Sequence, residues 1–149
     1  MEPAGRDETP LERADRNWEE LLGELRVTQT GVSILFSVLL TIPFTARFGD
    51  VTSMQRTTYL AALVLSAATT VVLIAPVAHH RVLFAKGHKQ QLVQQANLLA
   101  RTGLALLCLT LGAVLLLVAD LLLDGPVLLL VLAFVAGTAA LWFLPPRRR

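Results

Sequence analysis

Charge is scarce in this chain. Only 16% of its 149 residues carry it, and four runs hold no Asp, Glu, Lys, Arg or His at all: Val27–Ala46, Thr57–Ala78, Thr102–Ala119 and Pro126–Leu144. Proton- and voltage-coupled transporters place titrating or moving charges inside their spans, because those groups sense the gradient. Uncharged runs argue against that class. Cysteine is nearly absent too. Cys108 stands alone inside the third run, so no disulfide forms and a thiolate metal cluster is not expected. Its reading is packing as a buried thiol. Catalytic groupings are also missing: no nucleophile, base and orienting acid fall together, and no glycine-rich loop is placed to cradle a phosphate. No enzyme and no cofactor are expected. Nor does an internal repeat appear, which leaves inverted-repeat transporter architecture unsupported.

What is present is apolar. Hydrophobic residues make up 54% of the chain, too many for a small soluble domain to cover with polar surface. Each uncharged run is close to the ~20 residues a helix needs to cross a bilayer core. The expected fold is therefore an all-α membrane protein with four transmembrane helices, 27–46, 57–78, 102–119 and 126–144. Residues 1–8 mix Pro, Gly and charge, the composition of a disordered terminus. Residues 9–26 are expected to form a short cytoplasmic amphipathic helix. Thr9-Pro10-Leu11-Glu12 offers an N-cap hydroxyl, a proline at the first helical position and a capping-box glutamate. Leu11, Ala14, Trp18, Leu21, Leu22 and Leu25 follow at spacings of three and four. With no basic region leading into an apolar core, no cleavable signal peptide is expected, and the first span serves as the targeting signal.

Prolines and caps predict local breaks. Pro43 removes a backbone donor and frees the carbonyl of Leu39; Pro76 does the same near the end of the second span. Thr52 and Gln55 form a second capping box, starting a helix near Ser53. Helix is expected to continue past residue 78 and to resume before 102, so that 79–101 makes a helical hairpin beyond the bilayer.

Basic residues set the orientation. Residues 1–26, 79–101 and the C-terminus carry 11 of the 13 Lys and Arg, while the 47–56 connection carries two and 120–125 none. The positive-inside rule then places both termini in the cytoplasm of a multi-pass cell inner membrane protein. Residues 1–26 are net acidic and 79–101 net basic. The basic residues are few, scattered and beside membrane spans, so they read as topogenic rather than as a nucleic-acid surface; the lipid bilayer, a second copy or a membrane-protein partner is expected instead.

Three stretches carry a resemblance: "ELRVTQTGVSILFSVLLTIPF" at Glu24–Phe44, "QRTTY" at Gln55–Tyr59 and "APVAHHR" at Ala75–Arg81. In them the chain resembles an uncharacterised family, a domain of unknown function, of small bacterial four-helix integral membrane proteins. The resemblance implies a four-helix membrane fold and supplies no activity, cofactor or site.

The candidate residues come from patterning. Thr30, Ser33, Ser37, Thr41 and Thr45 advance by three and four along one face of the first span, and Ser66 and Thr69 have similar spacing in the second. Two uses fit such a stripe. Hydroxyls can line a path for a neutral solute, or let helices approach and bond across or back to their own carbonyls. Packing is the favoured reading. It expects Ser37→Leu to force helices apart. At the cytoplasmic side, Trp18, Arg81, Lys86 and Lys89 form a candidate interface: either the acidic face of 9–26 docks on the basic hairpin while its apolar stripe covers Val82, Leu83 and Phe84, or the helix stands solvated and touches nothing. His79 and His80 are adjacent and point about 100° apart on a helix. Without an acidic or thiol partner, these two and His88 read as headgroup contacts rather than metal or haem ligands. The expected role is an accessory or scaffolding subunit, with a small oligomeric channel or facilitator for a neutral solute as the alternative.

Overall fold

A computed structural model describes residues 9–83, 89–123, 125 and 127–144, with side chains described throughout except at 10, 11, 14, 80–83 and 89–94. The described chain is entirely helical. α1 spans Pro10–Thr41, α2 Ser53–Leu83, α3 Lys89–Leu122 and α4 Leu128–Phe143. Three of these are long and apolar enough to cross a membrane, over Asp15–Phe44, Ser53–His79 and Gln95–Leu122. At 16 residues, α4 covers about 24 Å, short of a ~30 Å hydrocarbon core.

α1 begins where its cap signals say. The Thr9 hydroxyl accepts from the Glu12 amide at 3.3 Å, and the Glu12 carboxylate accepts from the Thr9 amide at 2.8 Å. The helix then runs unbroken through the position where 9–26 was expected to meet a separate span. Nothing in the sequence stops it there, since Gly23 and Gly31 are tolerated in a helix at modest cost. It ends at Pro43. Two short 3-10 helices, Ile42–Phe44 and Ala46–Asp50, carry the chain to α2. A reciprocal cap opens α2: the Thr52 amide donates to Gln55 Oε1, and the Gln55 amide donates to the Thr52 hydroxyl. α2 passes through Pro76 to Leu83, and α3 begins at Lys89. Both extend beyond the apolar limits read from the sequence.

The buried positions on the long helices repeat every seven residues. On α1 they are Trp18, Leu25, Val32 and Leu39. On α2, Tyr59, Ala62, Ser66, Thr69, Leu73 and Pro76 alternate spacings of three and four. On α3, Ala96, Ala100, Gly103, Thr110 and Leu117 keep the same register. A seven-residue repeat holds one seam of each helix against its neighbours at shallow crossing angles. α3 turns a second, small-residue face to α4. A Cβ on Gly112 would lie 2.6 Å from Val135 Cγ2, so only glycine permits that approach. The Cys108 thiol reaches the Val135 carbonyl at 3.7 Å.

Candidate functional site

Two prolines organise the α1–α2 pair. Pro43 cannot donate to the Leu39 carbonyl four residues back. The structure supplies two replacements: the Ile42 amide reaches Leu39 O in a tightened last turn, and the buried Tyr59 hydroxyl donates to it across the interface at 2.9 Å. Near the other end of the pair Pro76 sits inside α2 and leaves the Val72 carbonyl without its amide donor. There the half-buried Gln29 of α1 donates its Nε2 to Leu73 O at 2.7 Å. Tyr59 thus completes the carbonyl that Pro43 frees, which is how a broken backbone ladder is tolerated in a bilayer core where no water can complete it; Gln29 adds a second tie beside the carbonyl that Pro76 frees.

Around Tyr59 the "QRTTY" stretch acts as a unit. Phe48 packs edge-on to Tyr59, centroids 5.0 Å apart. The Arg56 guanidinium lies 5.9 Å from the centre of the Phe48 ring, a cation–π contact. Gln55 caps α2 and donates to the Asp120 carboxylate on α3 at 2.9 Å. The stretches that carry the resemblance therefore supply Gln29, Pro43, Gln55, Arg56, Tyr59 and Pro76, the residues that tie these elements together.

The hydroxyl stripe is divided by the fold. Thr30, Ser33, Ser37, Thr41 and Thr45 are all exposed on the outer face of α1 and its 3-10 extension. Four of them donate to backbone carbonyls three or four residues back: Thr30 to Arg26, Ser37 to Ser33, Thr41 to Val38 and Thr45 to Ile42. A groove of about 560 Å³ runs along this face, lined by Arg26, Gln29, Thr30, Ser33 and Ser37 with Ile34 and Val38. Ser66 and Thr69 lie elsewhere, fully buried at the α2–α3 seam. Thr69 Oγ1 stands 3.5 Å from Thr110 Oγ1, while each also donates to its own helix, Thr69 to Leu65 O and Thr110 to Leu106 O. The α1 and α2 hydroxyls therefore share no path within one chain. Because the stripe faces outward, Ser37→Leu no longer implies steric separation of helices inside the chain.

Trp18 is buried against Ala96 of α3, with Leu21 and Leu22 beside it. The apolar stripe of the first turns therefore packs on the second arm of the 79–101 segment. Arg81, Lys86 and Lys89 lie outside the residues whose side chains are described, as do Val82, Leu83, Phe84, His80 and His88. His79 is exposed. Hydrogen bonds from Thr9 hold the Glu12 carboxyl below the usual glutamate range. Among the described residues, no three of His, Cys, Asp and Glu gather into a metal-binding group.

Sequence reasoning passed over Gln29 and Tyr59 as sites. The available signals were a lone amide and a lone tyrosine in uncharged runs that each also hold a proline.

A family model described as "Family of unknown function (DUF6328)" matches residues 7–146. No curated protein and no solved structure matches the chain.

Proposed function

The chain belongs to this family of unknown function, and from that premise we propose a non-enzymatic, multi-pass protein of the cell inner membrane that serves as an accessory or scaffolding subunit. Both termini lie in the cytoplasm, following the bias of basic residues to 1–26, 79–101 and the C-terminus. The observation that carries the role is the outer face of α1. Its groove is open while the α1–α2 and α2–α3 seams are filled. Small hydroxyl residues let a second helix approach closely, and their self-bonded hydroxyls lower the cost of covering them. A second copy or the helix of another membrane protein is the occupant. Trp18, Arg81, Lys86 and Lys89 mark the cytoplasmic end of the assembly.

The alternative, a small oligomeric channel or facilitator for a neutral solute, draws on the same face. Several copies turning Thr30, Ser33 and Ser37 toward a common axis would line a hydroxylated path. Single cysteines at Ser33 and Ser37, in a Cys108→Ala background, test both readings. Cross-links in native membranes, to a second copy or to another protein, support association through this face. Absence of any cross-link removes the role. Purified protein in liposomes then separates the two: glycerol flux above protein-free vesicles selects the channel, and cross-linking without flux selects the accessory subunit.

A further inference from the structure

A second opening has a different chemistry. Between α1 and α4, floored by α3, lies a cleft of about 760 Å³, within the ~300–1,000 Å³ range of small-ligand sites. Gly31 and Leu35 form part of one wall, Leu104 and Leu107 part of the floor, and Leu141 and Trp142 the other wall. From Val27 to Leu35 the cleft runs about 12 Å along α1. Its lining is almost wholly apolar, which suits a hydrocarbon chain.

The charges at the cleft's end narrow the choice further. Arg101 sits one turn before Leu104 on the same face of α3, and Glu24 sits one turn before Thr28 on α1; both are exposed. Their chain neighbours Leu25 and Ala100 belong to one core cluster, which brings both charges toward the same end of the cleft. The Thr28 hydroxyl lines the cleft and donates to the Glu24 carbonyl at 3.0 Å. Trp142, an interfacial residue type, stands on the wall opposite. The cleft is thus apolar and about 12 Å long, with an exposed cation on α3 and an exposed anion on α1 near one end.

From this the geometry points to a phospholipid site: a phosphatidylethanolamine whose acyl chain fills the cleft, whose phosphate meets Arg101 and whose ammonium meets Glu24. Opposite charges of the headgroup face opposite charges of the protein. This reading is independent of the accessory role and uses a face of α1 different from the hydroxyl stripe.

Gly31 provides the test. A Cβ there meets nothing within 4 Å, so Gly31→Leu fills the cleft without disturbing the packed seams. The full chain is purified in detergent, titrated with dioleoyl phosphatidylethanolamine or dioleoyl phosphatidylglycerol, and read by native mass spectrometry. One saturable phosphatidylethanolamine adduct per chain is expected. Gly31→Leu should weaken it about tenfold or more, since a filled cleft has no room for the chain. Arg101→Gln should weaken both lipids about fivefold, and Glu24→Gln should weaken phosphatidylethanolamine alone by a similar factor, as exposed charge contacts warrant. A second measurement reads position. In a Trp18→Phe background, phosphatidylethanolamine brominated along its acyl chain should quench Trp142 at low mole fraction, and Gly31→Leu should abolish that saturable component. The proposal is overturned by an absence of saturable adduct, by adducts indifferent to Gly31→Leu, or by quenching of Trp142 that the substitution leaves unchanged.

Discussion

The α2–α3 seam and the outer face of α1 both carry hydroxyls at helical spacing, yet they end in opposite environments. Ser66, Thr69 and Thr110 are fully buried; Thr30, Ser33, Ser37 and Thr41 are exposed. Hydroxyls on both sides bond first to carbonyls of their own helix. A self-satisfied hydroxyl has little demand for a partner and little quarrel with lipid. Its spacing therefore does not say which way a helix faces. What separates the two regions is the neighbour's shape: α3 offers Ala100 and Gly103 at its seam, and the outer face of α1 meets no helix among the described residues.

The sharpest way to break the contrast sets the buried seam against an open position on α1. A Cβ on Gly103 would collide with Leu73 Cδ2 and sit 2.8 Å from its Cγ, and Leu73 is fully buried. Gly103→Leu should cost about 3 kcal/mol in SDS-driven unfolding within mixed micelles. Gly31→Leu, on the cleft face of α1 with open space around it, should be neutral or stabilise by ~0.5 kcal/mol through helix propensity. Equal losses would mean that the cleft face is packed as tightly as the seam.

Ser66→Leu against Ser37→Leu comes next. Ser66 has no spare volume, so overpacking should cost about 2 kcal/mol. Ser37→Leu should cost under ~0.5 kcal/mol in the dispersed monomer. A larger Ser37 effect that appears only at high protein-to-detergent ratio would show that the outer face is covered by another copy.

The ties across α1 and α2 should matter less. Tyr59→Phe removes the Leu39 bond and should cost ~0.6 kcal/mol, the average for an interhelical bond in a membrane. Leu39 O retains the Ile42 amide. Gln29→Leu should cost somewhat more, about 1 kcal/mol, because it also removes a side chain from the rim of the outer groove. Amide exchange at Val77 and Ala78 in the Gln29 variant should rise more than exchange at α2–α3 positions such as Thr69.

The smallest effect lies at the first turn of α1. The Glu12 carboxyl is held below its usual range by hydrogen bonds from Thr9. Its stabilisation is complete above the ordinary glutamate range and is lost as pH falls through the lowered value. With the intrinsic exchange rate divided out, acidification should therefore lower amide protection at Glu12 and Arg13 while leaving that of Gly103 unmoved. Glu12→Gln should remove that pH dependence and keep a neutral cap.

Much of the architecture was legible because it is local. The caps at Thr9–Glu12 and Thr52–Gln55, and the carbonyl freed by Pro43, follow from residues within four positions of one another. The continuous α1 was not read, because the change from amphipathic to apolar at residue 26 looks like a boundary while the backbone has no reason to break. Rotation of α1 was not read either. Lipid and protein interior are both apolar, so composition gives no contrast between faces; the clue was the seven-residue spacing of Trp18, Leu25, Val32 and Leu39. Tyr59 to Leu39 and Gln29 to Leu73 join residues 20 and 44 positions apart, beyond the reach of any local pattern. The length of α4 was overread by counting apolar residues through its flanking turn.

The placement of the two proline ties bears on how the chain is made. Leu39, Tyr59, Gln29 and Leu73 all precede residue 77, and both acceptors are main-chain oxygens that any residue at 39 or 73 would provide. A nascent chain that has delivered Pro76 to the membrane already holds every donor and acceptor it needs to join its first two helices. That hairpin can close before α3 is synthesised, so the largest seam of the molecule is added to a pair that is already in register.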